Sequence, residues 1–280
     1  MTGLIGVFDS GIGGLSILQA LRAELPQSRF VYIADSGHAP YGERSDAHVI
    51  ARSRAITAEL LSRQVQTLVI ACNTATAVAI EQLRADDPDL PIIGVEPALK
   101  PALVISQTRC IGVMATRSTL ASAKFKTLLA SLADQAEFVL QPCDGLADAI
   151  ERSAGSDDTS AIQALCAKYT QAMGVFGNGS GQIDTLVLGC THYPFATEQL
   201  RALLGLQVQL VSNGPAVARQ TQIKLSQRLL PAAAQPEPFE SASPLILLST
   251  GDPQILQAAA QRWLPRIPTE PVLFASKLNV

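Results

Sequence analysis

The hexapeptide Thr67-Leu68-Val69-Ile70-Ala71-Cys72 returns 118 residues later as Thr185-Leu186-Val187-Leu188-Gly189-Cys190. An unbroken apolar run of this length suits a strand buried on both faces, as in a parallel sheet covered by helices. Two further pieces repeat in the same order. Ile5-Gly6-Val7 returns as Ile111-Gly112-Val113 at an offset of 106, and Phe30-Val31 as Phe138-Val139 at 108. The offset of 118 exceeds that of 106 by 12, and the glycine-rich stretch 174–182 (GVFGNGSGQ) has the length to supply most of that difference. Chance readily yields one Ile-Gly-Val match between apolar strands. Three matches in one order predict a duplicated α/β unit.

The rest of the chain fits that unit. Strand-length runs are expected at 4–8, 30–33, 67–71, 92–95, 110–114, 137–140, 185–189, 208–211 and 245–249. Helices are expected at 15–24, 46–64, 75–84, 118–131, 146–152, 160–173, 195–204 and 215–230. Strands alternating with helices define an α/β fold. We expect two pseudo-symmetric parallel-sheet domains with the active site in the cleft between them. The first spans 1–97 plus 213–280 and carries Cys72; the second spans 98–212 and carries Cys190. The segments 174–182 and 231–244 read as loops.

Composition excludes several function classes. Of 280 residues 48% are hydrophobic and only 16% charged, against an average near ~25% charged, which argues against disorder. The net charge of −3, with no basic block longer than two residues, leaves no electrostatic footprint for nucleic acid. The uncharged stretches 64–80 and 202–218 are 17 residues each and contain polar residues, short of the ~20 apolar residues of a membrane span. Asp9 and a glycine cluster arrive too early for a signal peptide, and the expected location is cytoplasmic. The first motif begins within a few residues of Met1, so no regulatory N-terminal extension is expected. The five cysteines, Cys72, Cys110, Cys143, Cys166 and Cys190, are odd in number and lack any CxxC pair. Neither a disulfide scaffold nor a compact metal site is expected.

Ligands of parallel α/β sheets bind beyond the carboxyl ends of the strands. Four polar clusters stand there: Asp9-Ser10-Gly11-Ile12-Gly13-Gly14, Asp35-Ser36-Gly37, Cys72-Asn73-Thr74 and Cys190-Thr191-His192-Tyr193. Cys72 and Cys190 occupy equivalent places in the two repeats, each before a helix whose N-terminus would lower a thiol pKa. Cys110, Cys143 and Cys166 lack such flanks and read as packing residues. Two like thiols facing one another suit a two-base racemisation, in which one removes an α-proton and the other delivers one to the opposite face. The Gly11–Gly14 turn lacks the GxGxxG spacing of a dinucleotide site and the lysine of a P-loop. It is either a plain strand–helix turn or a close backbone approach to a substrate carboxylate.

The motifs Gly6-Val7-Phe8-Asp9-Ser10-Gly11-Ile12-Gly13-Gly14, Asp35-Ser36 with Pro40-Tyr41-Gly42, and Ala71-Cys72-Asn73-Thr74-Ala75 run in this order. They are followed by Gly94-Val95-Glu96-Pro97-Ala98, Ala115-Thr116 with Thr119, Leu188-Gly189-Cys190-Thr191-His192-Tyr193-Pro194, and Ser249-Thr250-Gly251-Asp252-Pro253. Together they resemble the cofactor-independent glutamate racemases of the aspartate/glutamate racemase superfamily. The resemblance implies interconversion of L- and D-glutamate for peptidoglycan, cell-wall biogenesis and cell shape. It implies no cofactor and no metal, with glutamate as the partner molecule and a homodimer as the candidate assembly. Cys72 and Cys190 would be the proton donor and acceptor, helped by Asp9 and His192, with Glu151 a further assisting carboxylate. The substrate shell would comprise Asp9, Ser10, Tyr41, Gly42, Asn73, Thr74, Thr116, Thr119, Thr191 and His192. Asn213 stands where this family often has aspartate, which puts a cap or hydrogen bond in doubt.

Plainer roles compete for several of these side chains. Asp9, Thr116 and Thr119 suit helix caps, His192 a satisfied core histidine, and Asp35 either a ligand or a turn residue. His38 and His48 read as surface residues and Trp263 as a packing residue. The rival functions are a racemase of the same superfamily acting on aspartate or a hydantoin, a cysteine/histidine hydrolase, and a non-catalytic amino-acid-binding module.

Overall fold

The computed structural model describes residues 3–228, 244–265 and 275–280. The expected loop 231–244 therefore lies outside the described residues except for its last position. The first half runs β1 (Leu4–Asp9), α1 (Leu15–Glu24), β2 (Arg29–Ala34), α2 (Asp46–Ser62), β3 (Thr67–Ile70), α3 (Asn73–Asp86) and β4 (Ile92–Gly94). Then follow α4 (Leu99–Ile105), β5 (Cys110–Ala115), α5 (Arg117–Ala121), α6 (Ala123–Ala130), β6 (Glu137–Pro142), α7 (Leu146–Arg152), α8 (Ser160–Met173), β7 (Thr185–Leu188), α9 (Thr197–Leu204) and β8 (Gln209–Val211). The chain closes with α10 (Gly214–Arg228), β9 (Leu245–Ser249), α11 (Pro253–Trp263) and β10 (Ala275–Lys277).

These strands form two parallel sheets, ordered β10-β9-β2-β1-β3-β4 and β6-β5-β7-β8. The sequence repeat is a repeat of register. Ile5 pairs with Phe30 on one side and Thr67 on the other; Ile111 pairs with Phe138 and Thr185. The protein is thus an α/β molecule of two parallel-sheet domains with the same inner strand order. The sheets differ in size because β9 and β10 extend the first beyond β2. In the smaller sheet β6 stays at the edge, half exposed.

Alternating strand side chains feed two buried clusters on the larger sheet. Ile5 and Val7 face α1 and α10, while Leu4 and Phe8 face α2 and α3. Such double-sided burial explains why these strands read as continuous apolar runs. Where the halves meet, Phe195 stacks on Trp263 with ring centroids 4.2 Å apart and planes within 10°. The expected helix 118–131 breaks in two at Ser122, whose extended backbone and side chain cap α6 by accepting from Phe125 N at 3.2 Å. Among the described residues no helix is long and apolar enough to cross a membrane.

Candidate active site

Strand ends of both sheets meet at one cavity of about 200 Å³. Cys72 and Cys190 both line it, together with Asp9, Ser10, Tyr41, Gly42, Asn73, Thr74, Thr116, Glu151, Thr191 and His192. Thr119 does not line it; fully buried behind the wall, it accepts a hydrogen bond from Thr116 Oγ1 at 2.9 Å. Thr116 also caps α5 through Thr119 N, and its hydroxyl lies 3.3 Å from that of Thr74 on the other half.

Asp9 ends β1 with no exposure. Its Oδ1 accepts from Ser10 N at 2.8 Å, and its Oδ2 from Gly14 N at 2.5 Å and Thr191 Oγ1 at 3.3 Å. The carboxylate therefore satisfies the backbone at the start of α1 and still faces the cleft. Burial pushes its pKa up to about 6, opposed by the charge of His192 and reinforced by that of Glu151.

Two amides of the glycine turn after Asp9 meet carboxylates of the protein itself. Ile12 N donates to Glu151 at 3.0 Å (Oε2) and 3.2 Å (Oε1), and Gly14 N is taken by Asp9. A Cβ on Gly11 would overlap the Glu151 carboxylate, and one on Gly13 would overlap the His192 ring. The glycines make room for the protein's own acid–base groups.

Cys72 is the N-cap of α3, its sulfur accepting from Ala75 N at 3.4 Å, and it lies 3.8 Å from Ser10 Oγ. The helix terminus was expected to lower this thiol. Instead burial, and then the neighbouring Asp9 charge, hold it well above its ordinary range, outweighing the Ala75 amide and Ser10. Desolvating a thiolate costs more than one amide and a helix end return.

Cys190 departs from the expected setting in another way. After it come Thr191 and His192, then a 3-10 turn at Tyr193–Ala196, and α9 begins only at Thr197. No α-helix starts at this cysteine. Its helper is His192, whose Nδ1 lies 3.8 Å from the sulfur and whose Nε2 meets Glu151 Oε2 at 2.7 Å. Burial opposes protonation of His192, yet the bonds and charges of Cys190 and Glu151 raise its pKa well above the usual imidazole value. Burial also opposes ionisation of Glu151, but His192, Ile12 N and Ser36 Oγ hold it below the ordinary range. Each thiol thus has one titratable companion, a carboxylate on one side and a carboxylate-backed imidazole on the other.

Sequence reasoning overlooked some lining residues. Cys143, read as packing only, is buried and also forms part of the cavity wall. Arg117 stands at the rim in an ion pair with Asp144 at 2.6 Å. Neither carries a flanking motif, and only the fold brings them to the cleft. Asp35 is neither a lining residue nor a simple turn residue: it is fully buried and bound by Arg52, Tyr41, Thr250 and His38. His38 and His48, expected at the surface, are half-buried against this group and the Tyr41 ring. Asn213 bonds Asn73 Oδ1 at 3.4 Å. Among the described residues no group of three or more His, Cys, Asp or Glu side chains is disposed to hold a metal.

A duplicated parallel α/β fold with paired cysteines at matched strand ends defines a class, and comparison with known proteins agrees. The Asp/Glu/Hydantoin racemase family model matches residues 15–221, and the chain belongs to that family. It is 45% identical over 254 residues to the glutamate racemase of Ectopseudomonas mendocina, covering 91% of this chain and 92% of that one. It is 48% identical over 229 residues to the glutamate racemase of Cupriavidus pinatubonensis, covering 82% and 81%. Among solved structures, Escherichia coli glutamate racemase in complex with L-glutamate and the activator UDP-MurNAc-Ala superposes with a TM-score of 0.81. The identity there is 28%, over 99% of this chain and 98% of the other.

Proposed function

We propose that this protein interconverts L- and D-glutamate, with Cys72 and Cys190 as the two acid–base groups on opposite faces of the α-carbon. The observation that carries the reading is the matched pair of cleft thiols, each at a register-equivalent strand end and each with its own titratable companion. In one direction Asp9 takes the proton from Cys72 Sγ, and the thiolate removes the α-proton. Cys190 Sγ then delivers its proton to the other face, and His192 returns one to that sulfur. The reverse direction exchanges the roles. The α-proton of an amino acid is very weakly acidic, so a closed, preorganised cleft must stabilise the developing carbanion. The buried Cys72 thiol suits this step, because a desolvated thiolate is a stronger base than a hydrated one.

Ser10, Tyr41, Gly42, Asn73, Thr74, Thr116 and Thr191 form the substrate shell of this reading, and Thr119 supports Thr116. Glu151 acts through His192. No cofactor enters the scheme. The working division of the chain is 1–97 plus 213–280 against 98–212. Supply of D-glutamate for peptidoglycan, a cytoplasmic location and a homodimer complete the reading, and sizing by light scattering tests the last.

The test is incorporation of solvent deuterium at Cα during turnover of each glutamate enantiomer without added cofactor. Wild type should exchange and interconvert both, while Cys72→Ala and Cys190→Ala should each lose interconversion by about 10³-fold or more. Full activity in Cys72→Ala, or strict dependence on pyridoxal phosphate, overturns the proposal. Trapping of an acyl-enzyme would favour hydrolysis, and binding of glutamate without any exchange would favour a binding module.

A further inference from the structure

We propose that Arg52 is a positioning residue of this site: through a two-pronged bond to the buried Asp35 it fixes the cleft wall formed by residues 36–43. The proposal rests on the racemase reading of the cleft.

Asp35 follows β2 and has no solvent exposure. Its Oδ1 accepts from Arg52 Nη2 at 2.9 Å and Thr250 Oγ1 at 2.8 Å, with His38 Nδ1 at 3.1 Å. Its Oδ2 accepts from Arg52 Nε at 3.0 Å and Tyr41 Oη at 2.5 Å. From Asp35 the chain loops out through 3-10 turns at Ser36–His38 and Tyr41–Glu43 and returns along the cleft, so that Ser36, Ala39, Tyr41 and Gly42 line it. The wall is therefore hung on the carboxylate at its own start.

Two consequences follow. The Tyr41 hydroxyl is committed to Asp35, so Tyr41 enters the cleft as a ring and backbone and not as a hydroxyl donor to substrate. The Asp35 charge, out of contact with water, depends on Arg52 of α2 as its counter-charge. Arg52 Nη1 also donates to the Val280 oxygen at 3.1 Å. The other titratable groups facing this cluster are His38 and Tyr41 of the same loop, His48 of α2 and Cys72 beside Tyr41, and Lys277 of β10. Lys277 Nζ donates to the carbonyls of Thr250 and Gly251 and not to Asp35. Arg52 alone makes the planar two-bond pairing that a guanidinium offers a carboxylate.

Removing Arg52 while keeping Asp35 leaves a buried carboxyl with no permanent counter-charge, only the titratable His38 ring remaining beside it at 3.1 Å. Its pKa then rises, because burial is no longer opposed by Arg52. At low pH the carboxyl is neutral and the wall keeps its place. As pH rises it must ionise unpaired, and the wall shifts. The experiment compares KM and kcat for glutamate across pH in wild type, Arg52→Met and the double variant Asp35→Asn/Arg52→Met. Arg52→Met should raise KM by about 10- to 100-fold relative to wild type. The ratio should grow with pH, with a smaller effect on kcat. The double variant, which has no charge to strand, should abolish the pH trend and recover most of KM. If Arg52→Met does not fold, Arg52→Lys takes its place, with a KM increase of a few-fold and no pH trend, since charge is kept and the fork is lost.

An unchanged KM in either single variant overturns the proposal. So does a KM increase that is independent of pH and equal in Arg52→Met and the double variant, since that is lost packing alone. If wild type itself fails to exchange the α-proton, the racemase reading has failed instead.

Discussion

Asp9 and His192 sit beside the two thiols with different electrostatic histories. Asp9 is a carboxylate that burial pushes up to about 6, whereas His192 is an imidazole that Glu151 and Cys190 raise. Only ionised Asp9 can take a proton from Cys72. Activity that uses Cys72 as base should therefore fall as pH drops through about 6. The kcat/KM profile should show an acid limb there, and Asp9→Asn should lower the rate by about 10²–10³-fold and remove the limb. Steady-state rates from pH 5 to 8 check this. Of these groups, Asp9, Cys72 and Cys190 were legible in the sequence, because each closes an apolar strand with a polar turn. Glu151 was reached through resemblance alone, since its partners Ile12 and His192 lie 139 and 41 residues away. Arg52 gave no signal. Arg52 and Arg54 stand two apart in α2 and read as a solvated face, and only the fold brings Arg52 to Asp35.

At the scale of elements, the strand–turn–helix after β1 is shaped by what must fit against it. Gly13→Ala would drive a methyl into the His192 ring and Gly11→Ala one into Glu151. Each should cost at least about 10²-fold in kcat, because the displaced group serves Cys190. Gly155→Ala, whose Cβ would meet nothing within 4 Å, should keep wild-type activity and melting temperature. Thermal melts alongside rates separate a misplaced side chain from a broken fold. The sequence made the glycines visible but left their neighbour open, since a turn open to a substrate carboxylate and one closed on a protein carboxylate look alike in one dimension. The inner strands were legible from their apolar runs. Three elements were missed for separate reasons. In α4 the run Leu99-Lys100-Pro101-Ala102-Leu103-Val104-Ile105 carries a proline and too few polar residues to show a helical face. Strand β10 is only three residues long and is defined by pairing with Leu247–Ser249. Helix α11 did carry a start signal, Asp252 capping Gln254 N at 2.9 Å with Pro253 following.

Across the whole molecule, the cleft is spanned by side chains that tie one sheet's half to the other. Glu151 reaches Ile12 N and Ser36 Oγ, Ser16 Oγ donates to the Thr191 carbonyl at 2.7 Å, and Arg262 Nη1 donates to the Ser153 and Ser156 carbonyls at 3.1 and 2.7 Å. Glu151 and Thr191, which make two of these ties, also line the cavity. The duplication fixed in advance that such a cleft would exist. Its tethers were hidden, because each joins residues far apart in sequence. The Phe195–Trp263 stack lies on the same seam. Trp263 is the chain's single tryptophan, so the indole emission of the native protein reports on this seam alone, with no label and no background from elsewhere. Titration with glutamate should change its intensity or wavelength if the halves shift, whereas Phe195→Leu should alter the starting spectrum. The protein thus carries its own optical probe of the seam between its halves, and stopped-flow fluorescence can follow that seam while the enantiomers are turned over.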